Sequence, residues 1–277
     1  MSVYFNKKDE LREKANKHYK EMEAELHEEI AECVRNTKVY GGNGEAAAAV
    51  LKREKNNEIE LVEVKNRPEI IVDKLDSVQS ILEHREGKTA VLNFASYKNP
   101  GGKFIDGSSA QEECLCHASI LYNIQKRLPD YYEWNKKHNN RALYTNRALY
   151  SEDVIFLDKR GCVYGADVEQ VRVDVITCAA PNYSAAGKYA HVEVDENNAE
   201  LFRRIKFVLD VAEENKVETL ILGAFGCGVF GQEGAVVAKY FKKCLETYDY
   251  HFKKVYFSIL NRGKNDNYSE FKRIFGK

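Results

Sequence analysis

The sequence has no excess of charge of either sign. Across 277 residues, 42 Lys and Arg stand against 43 Asp and Glu, a formal net charge of -1, and the sequence pI is about 6.7. No global positive field is present to recruit naked nucleic acid, and sequence-specific nucleic-acid binding is not expected. No apolar run reaches membrane-spanning length, and the N-terminus carries no signal-type apolar segment. These absences predict a soluble, cytoplasmic protein without a membrane partner. Metal-site spacing is missing as well. The seven cysteines, at positions 33, 114, 116, 162, 178, 227 and 244, form no C-x-x-C pair, and Cys114-x-Cys116 has no matching second pair. Free thiols in a reducing compartment are the expectation, with neither metal nor cofactor.

The stretch Val91–Tyr122 carries the most information. Val91-Leu92-Asn93-Phe94-Ala95 has the length and composition of a buried strand. Asn99-Pro100-Gly101-Gly102 is a turn cluster whose glycines permit backbone geometry that a Cβ would block. A helix is predicted next, with Leu115, Ala118, Ile120, Leu121 and Ile124 on its apolar face. Strand, glycine turn and helix start together make a cradle for a pyrophosphate on backbone N–H groups and the helix dipole. Gln111-Glu112-Glu113 sets two carboxylates beside that cradle. The combination points to a phosphate-bearing substrate with a bond to be broken nearby. Taken alone, the two acids also suit an ordinary first helical turn, where the dipole favours them.

A second glycine loop, Gly223–Gly231, follows the apolar run Thr219–Leu222 and precedes a helix predicted over Glu233–Tyr248. Gly226, Gly228 and Gly231 match the spacing of a dinucleotide fold, but such a loop follows the first strand of its domain. Here it follows a late one and is apolar, so an anion cradle is the better reading. Lys7–Asn36 has no Gly or Pro, and Leu11, Ala15, Tyr19, Met22, Leu26, Ile30 and Val34 recur at helical steps. One long helix packed on the main domain is expected there, with a partner-binding helix as the alternative. Gly41-Gly42-Asn43-Gly44 reads as a turn. Strands are predicted at Glu58–Val64, at Val154–Leu157 (as an edge), at Val171–Thr177 and at Lys254–Leu260. Helices are predicted at Val78–His84, capped by Asp76 or Ser77, at Asn197–Glu214 and at Tyr268–Phe275. Leu128–Tyr150, with Trp134 and Tyr131, Tyr132, Tyr144 and Tyr150, reads as an irregular surface excursion to which no role is assigned.

The runs NFASYKNPGG and AQEE, Ile176–Asn182 and Gly223–Gly231 resemble the microbial branch of the poly(ADP-ribose) glycohydrolase family. The resemblance covers most of the chain from Val91 onward. It implies a macrodomain fold, expected here as a three-layer α/β/α mixed sheet over residues 51–277 with an N-terminal helical extension over residues 1–50. The family signature is three glycines, a short spacer and Gln-Glu-Glu. Gly101, Gly102 and Gln111-Glu112-Glu113 match it, whereas Lys103 stands at the third glycine.

The resemblance also implies roles. Glu113 would act as acid and then base in cleaving a ribose glycosidic bond, and Glu112 would position the sugar through its hydroxyls. Asn99, Gly101, Gly102, Lys103 and Gln111 would contact ADP-ribose. Gly226, Cys227, Gly228 and Val229 would wrap the diphosphate, and Phe230 would pack on the distal ribose. Substrates would be poly(ADP-ribose) or ADP-ribosylated proteins. The alternatives are a reader that binds ADP-ribose without turnover, or a mono-ADP-ribosyl hydrolase with altered linkage preference, because Lys103 resists positive φ and close approach.

Overall fold

The computed structural model describes residues 7–41, 66–158, 169–260 and 266–276. Gly42, Asn43 and Gly44, the strand expected at Glu58–Val64 and Cys162 lie outside the described residues. Seven strands form a mixed sheet: β1 (Lys38–Tyr40), β2 (Glu69–Asp73), β3 (Thr89–Phe94), β4 (Ala148–Asp158), β5 (Glu169–Cys178), β6 (Thr219–Leu222) and β7 (Lys254–Ser258). Their order is β1-β4-β5-β3-β6-β7-β2. From β5 to β2 all pairs are parallel, while β4 runs antiparallel to both β5 and β1.

Side-chain alternation divides the interior into two apolar layers. Ala90, Leu92, Ile176, Cys178, Leu220, Leu222, Val255 and Phe257 point to one face. Val91, Val173, Val175, Ile221 and Tyr256 point to the other. The first layer is covered by α8 (Val194–Glu214), α9 (Gly234–Thr247) and α10 (Asn267–Phe275), through Leu201, Ile205, Phe241 and Phe271. The second is covered by α1 (Lys7–Glu25), α2 (His27–Asn36), α3 (Ser77–His84), α4 (Gln111–Ala118) and α5 (Leu121–Lys126), through Ile30, Ile81, Leu115 and Ile124. Helices thus lie on both faces, the three-layer α/β/α arrangement expected from the sequence. Of two further helices, α6 (Pro129–Lys137) precedes β4 and α7 (Tyr183–Ala190) follows β5.

Three expectations are corrected. The helix expected over Lys7–Asn36 is divided at Leu26, where φ is -125° and ψ 33°. Its apolar face continues across the bend, because Leu26 N donates to Met22 O and Ile30 N to Leu26 O. The helix following the two glutamates is divided at Ser119. There Ile120 N donates to Ile155 O of β4, and the Ser119 hydroxyl donates to Leu115 O while accepting from Leu121 N. The segment 128–150 is ordered structure: α6, a 3-10 turn at Asn140–Ala142 and the start of β4, with Tyr131, Tyr132 and Tyr150 buried. The edge expected at Val154–Leu157 is present: β1 pairs with β4 only over Ala148–Tyr150, so among the described residues Val154–Leu157 has β5 on one side and only the backbone of Ser119 and Ile120 on the other. Asp76 caps α3 in a capping box with Gln79, one of the two caps expected.

Candidate active site

The site grows from the C-terminal end of β3. Strand β6 pairs with β3 only as far as Val91, which leaves the Leu92 carbonyl and the Phe94 amide on that edge without a strand partner. The Gln111 side chain replaces it. Its Nε2 donates to Leu92 O at 2.9 Å and to Ser77 Oγ at 3.0 Å, and its Oε1 accepts from Phe94 N at 2.8 Å. Gln111 therefore fixes the first turn of α4 against the sheet, and the two residues after it are placed by that contact.

Glu112 and Glu113 are both buried, at 3% and 7% exposure, but their partners differ. Glu112 spends both oxygens inside the protein: Asn93 Nδ2 donates to Oε1 at 3.0 Å and Ser96 N to Oε2 at 2.7 Å. Alternation along β3 turns Asn93 toward α4, which is why it can reach this carboxyl. Burial pushes the Glu112 carboxyl up to about 8, against the donors Ser96 N and Asn93 Nδ2, with the Glu113 charge adding to the rise. Glu113 accepts from Lys103 N at 2.9 Å. Glu113 thus keeps more of its acceptor capacity for something that enters the site.

The turn Asn99–Lys103 closes over these acids. Gly102 N donates to Asn99 O at 3.2 Å and Phe104 N to Gly101 O at 3.0 Å. Gly101 and Gly102 take φ of 60° and 61°. A Cβ on Gly102 would stand 2.6 Å from Glu113 Oε1 and 2.9 Å from Glu112 Oε2, and one on Gly101 would stand 2.6 Å from the Tyr122 ring. Conformation and space both demand glycine at these two positions. Lys103 is not among the residues with positive φ, so the departure from three glycines strains nothing in the backbone. Its side chain is exposed.

Opposite this turn, the loop after β6 is set by Gly226, at φ 75°, whose Cβ would stand 2.7 Å from that of Ala180. Gln232 holds the loop's far end. Its amide exchanges hydrogen bonds of 2.9 Å with Asn197 in both directions and donates to Pro181 O at 2.7 Å. Val229 projects from the tip with 86% of its surface exposed.

Between the two loops lies a cavity of about 640 Å³, within the range of small-molecule sites. Asn99, Gly102, Lys103, Gln111, Glu112, Glu113, Gly226, Gly228, Val229 and Phe230 all line it. Two of the residues expected in the site do not. Gly101 is buried behind the wall with its amide donating to Gln125 Oε1 at 2.6 Å. Cys227 lines a second cavity of about 530 Å³, together with Asp76, Ser77, Cys114 and Asn267. Phe94, Ala110, Gln111, Ala224 and Gly228 belong to both linings, so the two cavities share a wall. Ala180, from the small-residue run at the end of β5, also lines the first cavity, as do Ser96, Tyr97 and Tyr144, to which sequence reasoning assigned no role. Tyr97 and Tyr144 stack with ring centroids 4.2 Å apart, and Phe230 meets Tyr144 edge-on at 6.0 Å. The tyrosine-rich composition of the 128–150 segment was the one available signal for Tyr144.

Among the described residues, no group of three or more His, Cys, Asp or Glu side chains is placed to hold a metal ion. Among them, too, no helix is long and apolar enough to cross a membrane.

A family model described as "Microbial-type PARG, catalytic domain" matches residues 8–159. The chain is similar to the crystal structure of poly(ADP-ribose) glycohydrolase (PARG) from Thermomonospora curvata, with 27% identity and a TM-score of 0.80 over 96% of this chain and 100% of that one. The same enzyme bound to the inhibitor ADP-HPD gives 27% identity and a TM-score of 0.78 with the same coverage. PARG from Deinococcus radiodurans in complex with ADP-ribose gives 31% identity and a TM-score of 0.74 over 88% of this chain and 96% of that one. The comparison with curated proteins gives no match.

Proposed function

Because the chain belongs to the microbial-type poly(ADP-ribose) glycohydrolase family, we propose that it hydrolyses the ribose glycosidic bond of poly(ADP-ribose) or of ADP-ribosylated proteins and releases ADP-ribose. The observation that carries this reading is the contrast between the two adjacent acids. Glu112 is consumed by internal donors, whereas Glu113 is held by a single backbone amide at the wall of the cavity. Glu113 donates a proton to the leaving ribose oxygen as the anomeric bond breaks through an oxocarbenium-like transition state. It then takes a proton from the attacking water, whose oxygen forms the new bond to the anomeric carbon. Glu112 keeps the turn and the sugar in place and carries no step of its own.

The two cavities match the two halves of ADP-ribose. The distal ribose occupies the one lined by Glu113 and Phe230, and the adenosine half occupies the one lined by Asp76 and Asn267. The diphosphate crosses their shared wall at Ala224 and Gly228. At Gly228 an added Cβ would find nothing within 4 Å, which leaves the backbone open to an anion. The reading extends to domain organisation, with residues 1–50 as a helical extension on a catalytic domain of 51–277. It is supported by Gly107, just after the catalytic turn, whose Cβ would stand 2.2 Å from Lys8 O of α1.

The test is ADP-ribose release from poly(ADP-ribose) by the purified protein and by Glu113→Gln. Release is expected to drop by roughly 10²–10⁴-fold or more in the variant, while ADP-ribose still binds. Undiminished turnover in Glu113→Gln would remove Glu113 from the mechanism. Binding without turnover in the unaltered protein would make it a reader.

A further inference from the structure

Arg204 on α8 is completely buried, and no carboxylate pairs with it among the described residues. Its Nε donates to Asn146 Oδ1 at 2.8 Å, its Nη1 to Ala179 O and its Nη2 to Leu143 O at 3.4 Å. Two of those acceptors sit one residue before cavity-lining residues, Ala180 and Tyr144. Arg147 lies nearby at 8% exposure. It donates to Gly41 O and sits over the rings of Trp134, at 4.2 Å, and Tyr131. Its Nε has no hydrogen-bond partner, and no carboxylate faces it either among the described residues. Both guanidiniums act electrostatically on the Tyr97 hydroxyl, part of the aromatic floor of the ribose cavity. An unpaired buried charge is costly to a fold. Two of them behind one cavity wall call for a counter-charge, and the substrate of the proposed reaction carries a diphosphate.

We propose that Arg204, backed by Arg147, is a positioning residue whose buried charge is offset when the diphosphate of ADP-ribose lies at the wall the two cavities share, while its hydrogen bonds clamp Ala179 and Leu143 behind the floor of the ribose cavity. This rests on the function proposed above. The positive potential is focused by low-dielectric walls, so it discriminates between ligands by their charge. A diphosphate ester is drawn in and a neutral nucleoside is not. The guanidinium touches no reacting atom, so it acts on binding rather than on the bond-breaking step.

The experiment is calorimetric titration of the full chain with ADP-ribose and, separately, with adenosine as the neutral probe. Arg204→Met is expected to weaken ADP-ribose about tenfold or more, as loss of a unit charge at this depth implies, and to leave adenosine within about twofold. Arg204→Lys, which keeps the charge but not the fork, is expected to recover most of the ADP-ribose affinity. Arg147→Met touches none of the cavity lining and covers the case in which Arg204→Met does not fold. A loss of about threefold for ADP-ribose alone is expected there. A loss of ADP-ribose affinity in Arg204→Lys equal to that in Arg204→Met would reduce Arg204 to a structural strut and overturn the proposal, as would unchanged ADP-ribose affinity in Arg204→Met or in Arg147→Met. Failure of the unaltered protein to bind ADP-ribose at all would instead defeat the proposed function and this inference with it.

Discussion

Lys103 shows how one side chain's meaning depends on the backbone beneath it. The sequence gives reason to expect strain at this position, because the family signature has glycine there. The two positive-φ positions are Gly101 and Gly102, and Lys103 contributes an amide to Glu113 from an unstrained conformation. Lys103→Gly therefore relieves nothing. Turnover is expected not to rise, and stability in urea to fall by about 0.5–1 kcal/mol through added unfolded-state freedom. A clear rise in ADP-ribose release would mean that the lysine side chain obstructs the cavity. Glu112 gives a pH signature. Its folded carboxyl is pushed up to about 8 from an ordinary value of 4.5, so between those values the folded state holds a proton that the unfolded state has lost. Its contribution to stability is complete below pH 4.5 and is lost as pH rises through 8, a change on the order of a few kcal/mol. Urea unfolding from pH 5 to 8.5 is expected to show this decline, and Glu112→Gln to flatten it. An unchanged slope in the variant would place the cause elsewhere. The two acids were legible in the sequence because they are adjacent in it. Asn93 and Ser96 were not, because their reach to Glu112 depends on which way each faces at the end of β3, a matter of register.

At the scale of elements, the strands and helices with strong periodicity, β3, β5, β6, α8 and α9, were readable because burial on a fixed period leaves a direct trace in the order of residues. Interruptions were not. Ser119 breaks a helix through contacts with β4, and neither glycine nor proline marks the place. The short β1 and the strand β2 were missed for the opposite reason: three residues, and the brief run Glu69–Asp73, carry too little pattern. The loop after β6, proposed to bind the diphosphate, depends on a contact of the same hidden kind. Its end is held by the Gln232–Asn197 amide pair, a link from loop to α8. Gln232→Ala removes it and leaves the buried Asn197 amide without that partner, at an expected cost of about 1–3 kcal/mol. KM for poly(ADP-ribose) is expected to rise several-fold with kcat changed less, as the binding role proposed for this loop requires. Steady-state kinetics beside a melting curve would check this, and a loss confined to kcat would count against the loop's assignment.

For the whole molecule, the three-layer architecture follows from apolar strands alternating with amphipathic helices, which is why it could be read from the sequence. The division of the interior into two layers needed coordinates, because it rests on which residues of each strand share a face. The strand order has a consequence in time. Central β3 lies between β5 and β6, and the acids of α4 face a loop that follows β6. More than a hundred residues separate Glu113 from Phe230, so a ribosome adding roughly 5–20 residues per second exposes the acids roughly 6–24 s before the loop that confronts them. Throughout that interval the nascent chain holds the acids without the opposing wall of the pocket. A product truncated before Phe230 lacks part of the cavity wall opposite the acids, so ADP-ribose release is expected only once the late strands have joined the sheet.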